Sequence, residues 1–132
     1  MIDAEVKIFN TAHAKAAPMC AKGKFVSTVI TSKPTAFPAA SLIEIDNRTI
    51  RDRQTSTPVE NYALVTYQLD VYDTTKSGCR KVYAAVDEAM IGMNFSRMSG
   101  QYINMPENTE VFRYTARYEA EVDQEGNIYR RG

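Results

Sequence analysis

The stretch Tyr62-Ala63-Leu64-Val65-Thr66-Tyr67-Gln68-Leu69-Asp70-Val71-Tyr72 is the clearest strand in the sequence. Ala63, Val65, Tyr67, Leu69 and Val71 fall on one side of an extended chain, and Thr66, Gln68 and Asp70 on the other. Such strict alternation belongs to a strand with one face packed and one face turned outward. A second stretch repeats it. From Val111 to Val122, Phe112, Tyr114, Ala116, Tyr118, Ala120 and Val122 point inward, while Arg113, Thr115, Arg117, Glu119 and Glu121 point outward. Two long alternating strands predict an antiparallel sheet with one apolar face in need of cover.

Helices supply the cover. Thr74, Thr75 and Ser77 offer N-caps for a helix from about Gly78 to Asn94, with a stripe of Val82, Val86, Ala89, Met90 and Met93. Arg80, Lys81, Asp87 and Glu88 are expected to face away as a solvated surface. Near the amino terminus, Asp3 reads as an N-cap and Glu5 suits the positive end of the helix dipole. Ile2, Val6, Phe9, His13 and Ala16 follow as one face, and Pro18 ends the helix at Ala17.

The remaining elements are shorter. Met19 to Lys24 is a connector, and the β-branched run Phe25 to Thr31 reads as a strand broken by Pro34 and Pro38. Ser41 to Asp46 resumes as a strand. Asn47 to Asn61 is polar and carries Arg48, Arg51 and Arg53, which predicts a long functional loop or the extended tip of a hairpin. Ser96 to Met105 is a strand with Gly100 marking a bulge or bend, and Gln124 to Asn127 turns the chain back into a short strand at Ile128 and Tyr129. The expectation is one α+β domain over residues 1–132. Its sheet is antiparallel, or mixed at an edge, with two helices on one face.

Composition agrees. The chain of 132 residues is 44% hydrophobic and 24% charged, a globular balance for one domain. Sixteen Lys plus Arg offset sixteen Asp plus Glu, so the formal charge is zero. That argues against a protein devoted to nucleic acid or anionic membrane, and it leaves little repulsion against self-association. No apolar run is long enough for a membrane helix, and Met1 to Glu5 lacks the basic start and apolar run of a signal peptide. Cys20 and Cys79 carry no CxxC pattern and read as reduced, buried thiols of a cytosolic fold.

Signs of chemistry are few. One histidine, His13, cannot build a metal site, and its place on the helix stripe suits a core or interface residue. A pairing of His13 with Cys20 or Cys79 lacks the local signatures of cysteine nucleophiles. There is no G-x-S-x-G elbow, and Thr74-Thr75-Lys76-Ser77-Gly78 has its glycine last rather than the preceding glycines of a phosphate loop. Neither catalytic nor metal residues are assigned, and no cofactor. Between Glu5 and Glu44 there is no acid, and Lys7, Lys15, Lys22, Lys24 and Lys33 make a basic region. It lacks the interleaved aromatics of a single-strand binder, and it is balanced by an acidic carboxy-terminal half. A basic surface meeting an acidic surface of another subunit is the better reading.

The order of elements carries a resemblance. Phe37-Pro38 before an apolar strand, the arginine loop, Tyr67-Gln68-Leu69-Asp70-Val71-Tyr72-Asp73, the helix after it, and Phe112-Arg113-Tyr114-Thr115-Ala116-Arg117-Tyr118-Glu119 resemble small neck proteins of long-tailed bacteriophages. The similarity is to the tail-terminator, or tail-completion and tail-to-head joining, family. It implies a non-enzymatic virion subunit forming a ring, typically a hexamer, that caps the tail tube and meets the head connector or stopper. It further implies assembly in the host cytoplasm and DNA passing through the ring without sequence-specific binding. By position, Arg48, Arg51 and Arg53 would be its loop contacts. The proline-broken segment around Pro34 and Pro38 departs from the simplest version of the pattern.

Without the family, the same residues suggest an assembly part. Segregated charge suits head-to-tail contacts, and the outward Arg113, Arg117, Glu119 and Glu121 would lie where partner subunits could pair with their strand. Three alternatives stay open. One is another phage neck or tail-tube component. A second is a small ligand-binding module or enzyme with a pocket lined by Tyr67, Tyr114 or Tyr118. The third is a nucleic-acid accessory protein using the Lys7 to Lys33 region.

Overall fold

A computed structural model describes residues 3–30, 34, 36–49, 62–103 and 111–129. Helix α1 (Glu5–Ala16) runs into a 3-10 turn at Ala17–Met19, followed by β1 (Phe25–Val26), β2 (Ala39–Thr49) and β3 (Tyr62–Asp73). Helix α2 (Lys76–Gly92), β4 (Ser96–Ile103), β5 (Phe112–Asp123) and β6 (Ile128–Tyr129) complete the order. The sheet runs β1-β2-β3-β5-β4, with β6 pairing the far end of β5. Every pairing is antiparallel except β1 with β2, which is parallel, so the architecture is α+β with a mixed edge.

The two alternating stretches form the centre of the sheet, in register from Tyr62 opposite Asp123 to Asp73 opposite Phe112. Both inward rows are buried: Tyr67, Leu69, Val71, Ala116, Tyr118, Ala120 and Val122 are fully covered. Tyr67 meets Phe95 edge-on, with ring centroids 5.6 Å apart, and its hydroxyl donates to Glu44 Oε1 at 3.4 Å. Helix α2 lies on this row through Cys79, Val82, Ala85, Val86, Ala89 and Met90. It begins two residues earlier than the sequence predicts. Thr75 is its N-cap, with the hydroxyl accepting from the Gly78 N–H at 3.1 Å. Asp73 folds over that first turn, taking the Thr74 N–H at 2.8 Å, and a Cβ on Gly78 would collide with its carboxylate.

Helix α1 is turned relative to its expected face. Its buried residues are Ile8, Ala12 and Ala16, spaced by four, and small side chains there let it lie close against α2. Val6 is 71% exposed, His13 is exposed, Phe9 is half-buried, and Ile2 lies outside the described residues. Asp3 still serves the helix start, its carboxylate accepting the Glu5 N–H at 3.1 Å, although Ala4 occupies the N-cap. The α-helix stops at Ala16, but Pro18 does not force Ala17 out of helical dihedrals as expected. Ala17 keeps φ -58° and ψ -38°, and the 3-10 turn holds Pro18 in its first turn, where a missing N–H costs nothing.

Three other expectations change. The strand expected from Phe25 to Thr31 ends at Val26, pairing in parallel with β2 at Ala40 and Ser41. Of the loop expected over Asn47 to Asn61, the described residues Asn47, Arg48 and Thr49 are strand, pairing with Val65, Leu64 and Ala63 as the hairpin alternative has it. Residues 50–61 lie outside the described residues. Finally, the bulge in β4 falls between Arg97 and Ser99, not at Gly100. Gly100 is instead the seat of the Tyr114 hydroxyl, which a Cβ there would strike.

Candidate interaction site

Among the described residues no helix covers the outward face of the sheet, and its polar residues are organised. Register sets Arg113 beside Tyr72, Thr115 beside Asp70 and Arg117 beside Gln68. Arg113 donates from Nε at 3.0 Å and Nη2 at 2.9 Å to the single oxygen Oδ1 of Asp70. The other oxygen, Oδ2, accepts from Gln68 Nε2 at 3.0 Å, and Gln68 Oε1 in turn accepts from Arg117 Nε at 3.2 Å. Four side chains on two neighbouring strands thus form one chain of hydrogen bonds. The Arg113 guanidinium also lies over the Tyr72 ring, 5.6 Å from its centroid. Burial raises the Tyr72 hydroxyl above the ordinary tyrosine pKa, with Arg113 opposing and Asp70 reinforcing the shift.

Beside this network the face sinks into a depression of about 220 Å³, lined by Val29, Ile30, Ser41, Ile43, Ile45, Gln68, Asp70, Tyr72 and Arg113. Its rim is apolar where Val29 is 68% and Ile45 44% exposed, and its floor is polar. Apolar side chains beside satisfied polar ones suit contact with another macromolecule. As a base, Asp70 is poorly placed, since both oxygens already accept hydrogen bonds.

Sequence-predicted residues are distributed over this face and beyond it. Arg113 is half-buried, Arg117 exposed, and Glu119 and Glu121 stand on the same outward row, opposite Thr66 and Leu64. The strand that carries them is not open for pairing: β5 has β3 along one side and β4 and β6 along the other, so only side chains can meet a partner there. Arg48 sits at the end of β2, 67% exposed, donating from Nε at 2.9 Å and Nη2 at 2.6 Å to Asp46 Oδ2. Arg51, Arg53 and Lys33 lie outside the described residues. Lys15 pairs with Glu88 at 2.5 Å, tying α1 to α2, while Lys7 Nζ reaches Gly126 O at 2.9 Å. Lys22 is exposed and Lys24 half-buried in the connector before β1.

Asp87 does not face away. Its Oδ1 accepts from the Tyr118 hydroxyl at 2.9 Å and meets Arg97 Nη1 at 3.4 Å. The tyrosine pocket of the alternative reading is filled: Tyr67 and Tyr118 are fully buried, Tyr114 nearly so, and none lines the depression. His13 packs its ring against Phe9 and Phe25, each with centroids 5.6 Å away. Burial pushes the thiols of Cys20 and Cys79 up to about 11, with the Asp73 charge adding to it, so neither is a thiolate at neutral pH. Among the described residues no group of three or more His, Cys, Asp or Glu could hold a metal ion. No described helix is long and apolar enough to cross a membrane.

The residues missed from sequence were Gln68 and Asp70 as partners of the two arginines, and Ser41, Ile43 and Ile45 as the wall beside them. The signal was there in the polar row of β3, but matching it to Arg113 and Arg117 needs the register between strands far apart in sequence.

No protein-family model matches the chain, and no curated protein matches it. Among solved structures the chain is similar to one from the virion of a native gene transfer agent (GTA) particle, with a TM-score of 0.63. The match covers 88% of this chain and 91% of that one at 16% sequence identity, and is therefore a likeness of fold.

Proposed function

We propose that the chain is a non-catalytic structural subunit of a phage-like virion, one copy of a ring that caps the tail tube and joins tail to head connector. The observation that carries this reading is the fold likeness to a virion chain over nearly the full length of both. It converges with the resemblance of the strand and helix order to neck proteins of long-tailed phages. A sheet face bearing a polar network and an apolar rim supports the same reading, since an assembly subunit must present built surfaces to its neighbours. In this picture Arg48, Arg51 and Arg53 at the β2–β3 hairpin contact the tail tube or the adjoining ring.

Its test is location. Gold-labelled antibody against the chain should mark the head–tail junction of intact particles. Label spread along the tail would make the chain a tube component, and label absent from particles would end the virion reading.

A further inference from the structure

The sheet has two edges, and they are built alike in one respect and oppositely in another. At one edge lies β4, which pairs with β5 alone among the described residues. At the other, β1 covers β2 only at Ala40 and Ser41, so the stretch Ile43–Thr49 is itself the edge among the described residues. Each edge strand carries one residue more than its neighbour. The register steps past Ile45 in β2, between Glu44 and Asp46, and past Met98 in β4, between Arg97 and Ser99. Both extra residues are large, apolar and exposed, Ile45 44% and Met98 55%. A bulge breaks the run of backbone groups that another strand could pair with, so what each edge presents is side chains.

Charge distinguishes the edges. Beside β4, Lys76 Nζ stands 5.5 Å from the centroid of Tyr102 and the Arg97 guanidinium 5.6 Å from that of Tyr83. Arg80, four residues after Lys76 and three before Tyr83, shares that side of α2 and is exposed. Asp87, facing Arg97, is the acid that partly offsets these cations. Beside Ile45 the balance reverses. Glu44 has Glu5 and Asp3 close enough for their charges to act on it, and Asp46 follows, held by Arg48.

We infer that the β4 edge of one copy docks on the β2 edge of the next, Met98 against Ile45, with Lys76 and Arg80 facing Asp3, Glu5 and Glu44. The occupant is a second copy because one chain carries both halves of the contact, opposite in charge, at opposite edges where both can be used at once. Two unlike surfaces on each copy make a heterologous contact, which closes into a ring when the rotation permits. The inference rests on the ring reading above and names the surfaces that build the ring.

Two charge-reversed chains test it, Lys76→Glu with Arg80→Glu, and Asp3→Lys with Glu5→Lys. Sedimentation equilibrium should show each alone associating at least about tenfold more weakly than the wild type. An equimolar mixture should recover the wild-type mass, because each reversed edge then meets a reversed partner. Met98→Asp, at an exposed bulge, should weaken association in a chain whose melting is unchanged. Should either reversed chain or folded Met98→Asp keep the wild-type mass, or the mixture stay dissociated while the wild type assembles, the pairing is wrong and the ring reading survives. A wild-type chain that stays monomeric both alone and with tail tubes overturns both.

Discussion

Arg113 and Asp70 stand on neighbouring strands, and both donors that the guanidinium aims at the carboxylate converge on its single oxygen Oδ1, leaving Oδ2 to Gln68. The arrangement locks the outer faces of β3 and β5 together at their centre. Asp70 is nearly buried while Arg113 keeps 31% of its side chain exposed, so solvent moderates the pair. Asp70→Ala leaves a half-buried guanidinium and an amide without their acceptor. It should cost about 2 kcal/mol, a fall in Tm of roughly 5–10 °C. Asp70→Asn, which keeps an acceptor, should cost about half as much. Thermal melts of the three chains check the order.

Gly100 and Tyr114 are matched in size. The Tyr114 ring is held between Tyr83, at 4.3 Å between centroids, and Tyr102, at 5.1 Å, and its Cζ would lie 3.1 Å from a Cβ on residue 100. Gly100→Ala should therefore destabilise by about 1–3 kcal/mol, as overpacking does. Tyr114→Phe in the same chain removes the hydroxyl that clashes and should recover part of the loss. Urea unfolding of the single and double variants measures the coupling.

Glu44 is a carboxyl kept against its preference. Burial raises its pKa first, the negative charges of Glu5 and Asp3 add to this, and hydrogen bonds from Asn47 and Tyr67 offset only part. A carboxyl raised in the folded state imposes no penalty below its unfolded pKa, and a growing one as pH climbs through the folded value. Glu44→Gln should thus raise Tm at pH 7 and leave it nearly unchanged at pH 3.5. A gain that is equal at both pH values would assign the effect to packing instead.

The hairpin arginines separate stability from assembly. Arg48 is exposed and its ion pair is with the partly exposed Asp46, so replacing Arg48, Arg51 and Arg53 together with alanine should shift Tm by no more than about 2 °C. Joining of heads to tails should nevertheless fail. Normal infectious particles carrying this variant would remove the hairpin from the contact.

Much of the fold was legible because period is local. Tyr62–Tyr72, Val111–Val122 and the Val82-Val86-Ala89-Met90 stripe each declare one buried side within a single element, and the structure buries those sides; in β3, the central strand, it also buries Leu64, Thr66, Asp70 and Tyr72 of the row expected to face outward. The α1 stripe misled, Ala16 apart, because apolarity and burial part company there: Val6 is apolar and exposed, whereas Ala12, outside the expected stripe, is buried. The run after Val26 is β-branched yet finds no further partner, since strand formation depends on a neighbour as much as on propensity. The outer face was half legible. Arg113 and Arg117 could be placed outward from alternation alone, but their bonds to Asp70 and Gln68 cross more than forty residues of sequence, and the two bulges that define the edges exist only in the registers of β2 on β3 and of β4 on β5.

Whether the chain assembles is read from its mass. Light scattering and negative-stain microscopy of the chain, alone and mixed with purified tails or tail-tube protein, should reveal a ring, either free or seated on tube ends. A monomer that leaves tube ends bare under all those conditions is no ring subunit, and the outer-face depression beside Asp70 and Arg113 would then be screened as a ligand pocket.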